Sequence, residues 1–275
     1  MNDVVDPANI QPLDEPVQID GRTYTHTAAG RTKAQGVADA INRLLQNLVI
    51  RCAKSEGVRD YYHVGVIGYG ASVGPAFSGR LAGRNLVPIS DIANNPARIE
   101  ERIKKIDDGA GGLVDQRIKF PIWFEPVANG GTPMCQALAL AKSTLEAWLS
   151  EHRTCFPPTV IHITDGESTD GDPTEAMGSL TNLCSSDGNV LLFNLHLSAN
   201  PNAKPISFPN SAADLPDEYA KTMFEGASPL TPFMRSIAAE HGFRLGEGAK
   251  GFVLNGDLTV VIQALDIGTR PSNLR

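Results

Sequence analysis

Apolar residues recur along this chain at two spacings, one helical and one alternating or continuous, and their succession predicts its elements. From about Thr32, the residues Val37, Ala40, Ile41, Leu44, Leu45, Leu48, Val49 and Cys52 fall on one face of a helix, with Thr32 as its cap and Gly57 as its stop. That is an amphipathic helix of about six turns. His63 to Gly70 follows as a strand whose small residues let a helix lie close, and loop sequence runs from there through Arg84. Asn95-Pro96 then opens a charged helix through about Ile106, which Asp107 to Gly112 ends. Between Val114 and Val127, alternating Ile118, Phe120, Ile122 and Phe124 are broken at Pro121. This predicts two short strands or one bent edge strand, inserted at the side of a sheet.

The second half of the chain is more regular. Gly130-Gly131-Thr132-Pro133 starts a helix with Ala137, Leu138, Ala141, Leu145 and Trp148 on its buried stripe. The apolar run Val160 to Thr164 is rich in β-branched residues and stops abruptly at Asp165-Gly166. Ser168 to Pro173 beyond it makes a loop. A helix is expected from Pro173 to about Leu183, a strand over Val190 to Leu197, and a polar, proline-rich passage from Asn200 to Asp217. A helix over Pro232 to His241, a short strand over Gly251 to Leu254 and a last helix from about Asp257 to the Gly268 region complete the pattern. Strands alternating with helices predict an α/β fold built on a mostly parallel sheet with helices on both faces. Residues 1–31 stand apart as an irregular segment interrupted by Pro7, Pro12 and Pro16, with a hairpin over Val17 to Thr25 turning at Asp20-Gly21. Residues 32–275 then form one domain, with an edge insertion around 107–127.

Composition narrows the function. A formal charge of −7 argues against a nucleic-acid partner, because phosphate-backbone binding is driven by clustered Lys and Arg. No segment approaches the roughly 18 to 20 consecutive apolar residues that cross a bilayer, and the N-terminus lacks an export signal. A cytoplasmic protein without membrane contact is expected. Cys52, Cys135, Cys155 and Cys184 lack paired metal-ligand spacing and are expected to be reduced thiols.

Candidate chemistry gathers at two loops. In an open α/β sheet, ligands bind beyond the carboxyl ends of the strands, which is where Asp165 would be delivered. Asp165 has two readings, a turn-forming residue before Gly166 or a functional carboxylate. Thr132 has two as well, the N-cap of a helix with Pro133 at its first position or an oxygen ligand. Glu167, Asp170 and Asp172 read as a solvated acidic loop. His162 and His196, inside strand runs, read as packed or hydrogen-bonded core residues, and Trp123, Phe124 and Trp148 as packing.

Asn129-Gly130-Gly131-Thr132-Pro133-Met134 and Ile163-Thr164-Asp165-Gly166-Glu167, separated by one amphipathic helix, resemble the second and third metal-site motifs of a von Willebrand factor A (vWA) domain. The similarity of element order runs from Thr32 onward. The resemblance implies a Rossmann-like, three-layer fold with a divalent cation, Mg2+ or Mn2+, at the carboxyl edge of the sheet. It also implies a partner protein whose acidic side chain completes the metal shell. The family's first motif, Asp-x-Ser-x-Ser, does not occur here. Its nearest counterpart is Val4 to Ile10, in which Asp6 matches the acid while Ala8 and Ile10 stand at the serine positions. The metal ligands implied are therefore Thr132, Asp165 and Asp6. Magnesium, a hard ion that favours oxygen and retains several waters, suits hydroxyls and carboxylates on adjacent loops.

The sequence carries no phosphate loop, no Gly-x-Ser-x-Gly elbow and no His-Glu-x-x-His helix, so a binding protein is expected in place of an enzyme. The alternatives are a metal-dependent phosphohydrolase using Asp165, Glu167, Asp170 and Asp172, and a metal-free interaction scaffold. Bacterial domains of similar appearance occur in stress-response and defence systems, which sets the expected setting by analogy.

Overall fold

The elements fall into two units, Met1–Val64 with Ala76–Asn129, and Gly65–Pro75 with Gly130–Arg275. The computed structural model describes residues 17–19, 22–24, 33–107, 113–127, 129–197, 204–256 and 258–270. Among these lie seven α-helices and a mixed sheet of parallel and antiparallel strands. No helix among the described residues is long and apolar enough to cross a membrane. Elements are numbered along the chain.

In the first unit the N-terminal hairpin forms as expected: β1 (Val17–Ile19) pairs antiparallel with β2 (Arg22–Tyr24). Helix α1 (Lys33–Cys52) buries Ala38, Leu45, Leu48 and Cys52. It ends in a tight hairpin of β3 (Ala53–Lys54) and β4 (Gly57–Val58), with Gly57 at φ 128°. The stop is therefore five residues earlier than the glycine. Asn42, buried on α1, accepts from Trp123 N at 2.8 Å and donates to the Phe124 carbonyl at 3.3 Å, which ties the helix to the buried Trp123 and Phe124.

Two expectations for this region are overturned. The segment expected to be a charged helix is a strand, β9 (Arg98–Asp107), paired antiparallel with β10 (Leu113–Ile122). Ile99, Ile103 and Ile106 are spaced like a helix face, yet Ile99 and Ile103 stand 58% and 56% exposed. Successive residues of a strand face opposite ways. Here the inward set is Glu100, Arg102, Phe120 and Ile122. The Arg102 guanidinium lies 3.7 Å over the Phe120 ring and pairs with Asp39 at 2.9 Å and Glu100 at 2.7 Å. A charged residue held by an aromatic face and two carboxylates, not an apolar stripe, thus sets which side packs. Pro121 does not break β10; it sits opposite Ile99 near the strand's end, on a ribbon separate from the larger sheet. The insertion is thus a hairpin of the first unit, not an edge of the sheet.

The strand expected over His63 to Gly70 is also divided. β5 (His63–Val64) pairs with β8 (Val87–Pro88), which leads into the short helix α2 (Ile89–Asn94). In the second unit, β6 (Ile67–Tyr69) pairs antiparallel with β7 (Val73–Pro75). Glycines weaken a strand interior, and Gly65 and Gly70 bound these short pieces.

The second unit holds the elements around the candidate site. Helix α3 (Met134–Glu151) leads to β11 (Thr159–Thr164), then to α4 (Thr174–Thr181), the small hairpin β12 (Cys184–Ser185) and β13 (Gly188–Asn189), and β14 (Leu191–His196). β15 (Ile206–Ser207), α5 (Glu218–Gly226), α6 (Pro232–Glu240), β16 (Phe252–Leu254) and α7 (Leu258–Thr269) follow. Four strands form a sheet in the order β11-β14-β16-β15, with β11, β14 and β16 parallel and β15 antiparallel. Helix α5 escapes a reading by apolar spacing, because the polar passage before it ends in its cap: Asp217 accepts from Ala220 N at 2.7 Å. Neighbouring residues of β14 face opposite ways. Asn194 reaches Met177 and Met223 on α4 and α5, while Phe193 lies against Gly268 on α7. Met134, Leu138, Met177, Leu180, Leu192, Met223 and Phe252 make the core beneath α3, α4 and α5.

Candidate functional site

β11 ends at Thr164, so Asp165 is the first residue past the carboxyl end of a parallel strand. The Thr164 hydroxyl donates to the Gly166 carbonyl at 2.9 Å and bends the chain away from the strand direction. Across from this turn lies the loop before α3. Thr132 N donates to Thr169 Oγ1 at 2.9 Å, and Thr169 N returns a bond to the Thr132 carbonyl at 2.9 Å. A methyl built on Gly166 would stand 3.2 Å from Thr132 Oγ1. Two loops more than thirty residues apart therefore meet, and the Thr132 hydroxyl faces the residue after Asp165.

Thr132 is not the cap of α3. Pro133 takes the N-cap position, with no side-chain cap bond. Capping comes from the other loop: the Asp170 carboxylate accepts from Cys135 N at 3.0 Å, from Gln136 N at 2.9 Å and from the Ser168 hydroxyl at 2.9 Å. Burial acts to raise the Asp170 carboxyl, but the Gln136 and Cys135 amides and the Ser168 hydroxyl outweigh it and hold it below the ordinary aspartate range. Asp170→Ala is expected to cost about 1–2 kcal/mol, the usual loss for a helix cap, measured by denaturant unfolding. Because the folded carboxyl is depressed, its contribution is complete above the unfolded pKa and fades as pH falls through the folded one. The variant's deficit should shrink on acidification.

The acidic loop thus separates into residues with different duties. Asp172 accepts from Thr174 N at 2.9 Å and Thr174 Oγ1 at 2.7 Å, at the start of α4. Glu167 is exposed and Asp165 half-buried. Of the residues singled out in the sequence, Thr132 and Asp165 are carried on the two loops that meet, while Asp6 lies outside the described residues. Among the described residues no three His, Cys, Asp or Glu side chains gather as a cation site.

No protein-family model, curated protein or solved structure matches this chain. The chemistry of the site rests on its own residues.

Beneath Asp165 lies a buried polar chain that apolar spacing alone did not reveal. Asn194, fully buried on β14, donates to the Met223 carbonyl at 2.7 Å, which turns its Oδ1 toward His162 Nδ1 at 3.0 Å. His162 Nδ1 therefore carries the proton, and Nε2 meets the Tyr69 hydroxyl at 2.9 Å. The Ile163 carbonyl lies 2.7 Å from the same hydroxyl, so its single proton is shared between that carbonyl and Nε2. Burial, opposed by the Asn194 bond and reinforced by His196, pushes His162 down to about 4. Its folded value lies below the unfolded one, so its contribution to stability is complete above the unfolded value of about 6.5. It is lost as pH falls toward 4. Unfolding measured between these limits should show stability declining by up to about 1.4 kcal/mol per pH unit from this group, a slope that His162→Gln removes.

Two more residues shape the rim. Tyr219 on α5 donates to the Gly166 carbonyl at 3.3 Å and stacks edge-on against His196, and its hydroxyl is pushed up by burial and by Glu167. Gly130 at φ 78° brings its backbone against the β6-β7 turn, where a methyl on it would stand 2.6 Å from Ala71 N. The 70–72 turn thus meets the loop before α3 at Gly130, and that loop meets the turn after Asp165 at Thr132.

Proposed function

We propose that this chain is a vWA-like binding domain, Rossmann-like in architecture, that holds Mg2+ or Mn2+ between Thr132 and Asp165 and grips an acidic side chain of a partner protein through it. The observation that carries this reading is the approach of Thr132 Oγ1 to Gly166 at the end of β11. Thr132 supports the fit further: its amide and carbonyl are tied to Thr169 and Met134, and its hydroxyl enters no hydrogen bond among the described residues. A hydroxyl and a carboxylate on facing loops form a hard-oxygen donor set suited to an ion that keeps several waters. Bound there, the cation would supply an open position for an incoming carboxylate. The chain's own residues orient it: Tyr219 and Thr164 hold Gly166, and Thr169 holds Thr132.

The phosphohydrolase alternative loses support from Asp170, because both of its oxygens are committed to the start of α3. A cytoplasmic bacterial stress-response or defence setting remains part of the proposal by analogy alone. Calorimetric titration with Mg2+ and with Mn2+ tests the site. The wild type should bind one ion, and Asp165→Ala and Thr132→Ala should weaken it by about tenfold or more, at least the loss seen for changes just outside a metal shell. Equal affinities for wild type and Asp165→Ala would remove Asp165 as a ligand.

A further inference from the structure

Tyr219 sits in the first turn of α5 and is placed by that helix, not by the loops it reaches. Asp217 caps the turn through Ala220 N, and Ala220, Met223 and Phe224 are buried beneath it. The Asn194 amide holds the Met223 carbonyl at 2.7 Å, and a Cβ on Gly226 would collide with the Met177 side chain, so α5 lies hard against β14 and α4. The ring is fixed as well, edge-on to His196 with centroids 5.4 Å apart. A rigid phenol thus carries its hydroxyl to the candidate site. There its single proton is shared between the Gly166 carbonyl at 3.3 Å and the Met134 sulfur at 3.5 Å.

Those acceptors belong to different loops. Gly166 follows Asp165 past the end of β11, and Met134 opens α3 just after Thr132-Pro133. The loops are also joined further along, where Thr169 exchanges bonds with Thr132 and Asp170 accepts from Cys135 N and Gln136 N. All of those bonds lie beyond Ser168 and leave the turn that carries Asp165 to be held separately. At that turn Thr164 ties Gly166 to its own strand. The Tyr219 hydroxyl is the polar link that spans from Gly166 to the start of α3 among the described residues.

We propose that Tyr219 is a positioning residue for the cation: by bridging Gly166 and Met134 it sets the separation of Asp165 from Thr132, and with it the size of ion the pair accepts. This role rests on the metal site proposed above. Oxygen donors stand about 2.0–2.1 Å from Mg2+ and about 2.3–2.6 Å from Ca2+, so the choice between them depends on how firmly the donors are held. Donors on two facing loops can follow a larger ion outward unless the turn is fixed. A phenol docked on a capped, buried helix fixes it from outside both loops. Groups that hold a ligand in place are typically worth about 10–100-fold in metal affinity. Tyr219 acts on the residue next to the ligand through a long bond, which puts it at the low end of that range.

The test is Tyr219→Phe in the full chain, which keeps the ring against His196 and removes the hydroxyl, titrated calorimetrically with Mg2+ and with Ca2+. Mg2+ affinity should fall about tenfold while Ca2+ affinity changes by less than about twofold, so the preference moves toward the larger ion. In the metal-free protein the variant should shift the Gly166 amide and Met134 methyl resonances and leave the Thr169 and Asp170 amides in place. That arm reports the tether without any ion. An equal loss for both ions, no loss for either, or unmoved Gly166 and Met134 resonances overturns the positioning role while the metal site stands. Wild-type protein that binds neither ion overturns the metal site itself, and this role with it.

Discussion

Asn194→Leu is expected to lower the unfolding free energy by about 3–5 kcal/mol, measured by denaturant unfolding at neutral pH. The substitution keeps the branched shape and the number of heavy atoms and adds bulk, so none of the loss comes from a cavity. It removes the amide that donates to the Met223 carbonyl at 2.7 Å and the oxygen that accepts from His162 at 3.0 Å. Each buried group left unpaired costs about 1–3 kcal/mol, and two are created at once in a site with no solvent access. A double variant, Asn194→Leu with His162→Leu, should lose less than the sum of its single changes, because removing both partners cancels one of the unpaired groups. Loss below about 1 kcal/mol for Asn194→Leu would mean that the buried chain does not hold the strands as described.

Gly130→Ala should cost about 2–4 kcal/mol in thermal or denaturant unfolding. The left-handed backbone costs a residue with a Cβ about 1–2 kcal/mol. Here the Cβ would also stand 2.6 Å from Ala71 N and 2.7 Å from Ala71 Cα, so backbone, not a flexible side-chain end, has to move. Amide resonances of residues 70–72 should shift with those of Thr132, because that turn and the loop before α3 lie in contact. Gly83, with φ 77° and open space around it, provides the control: Gly83→Ala meets the backbone cost alone and should be the milder change.

The second half of the chain was legible because its elements are carried by apolar residues in simple periods. Val160 to Thr164, Leu191 to His196 and the stripe Ala137, Leu138 and Leu145 lie where their spacing puts them. The 98–107 strand was not legible, because Ile99, Ile103 and Ile106 imitate a helix face while an arginine over Phe120 sets the buried side. A sequence scan sees apolar spacing and misses a cation held by two carboxylates and an aromatic ring. The glycines of His63 to Gly70 were read as permitting close packing within one strand, whereas they divide it into two.

At the candidate site, the pairing of Thr132 with the Asp165 loop followed from the order of the two motifs. The reading of Thr132 as a cap did not hold, since Asp170 supplies the capping across the loops. Nothing local in Ser168 to Asp172 signals that duty, because its partners lie more than thirty residues away. Tyr69 and Tyr219 were likewise illegible. Each acts through one hydroxyl on a distant carbonyl, and only the fold sets that distance.

The central claim is that a divalent cation sits where Thr132 faces the turn after Asp165. Substoichiometric Mn2+ added to isotopically labelled protein locates the ion through paramagnetic broadening of nearby amide resonances. The account predicts broadening centred on Gly131, Thr132, Gly166 and Glu167, suppressed by excess Mg2+ and absent from Asp165→Ala. Broadening centred elsewhere, or a pattern unchanged in Asp165→Ala, would contradict it.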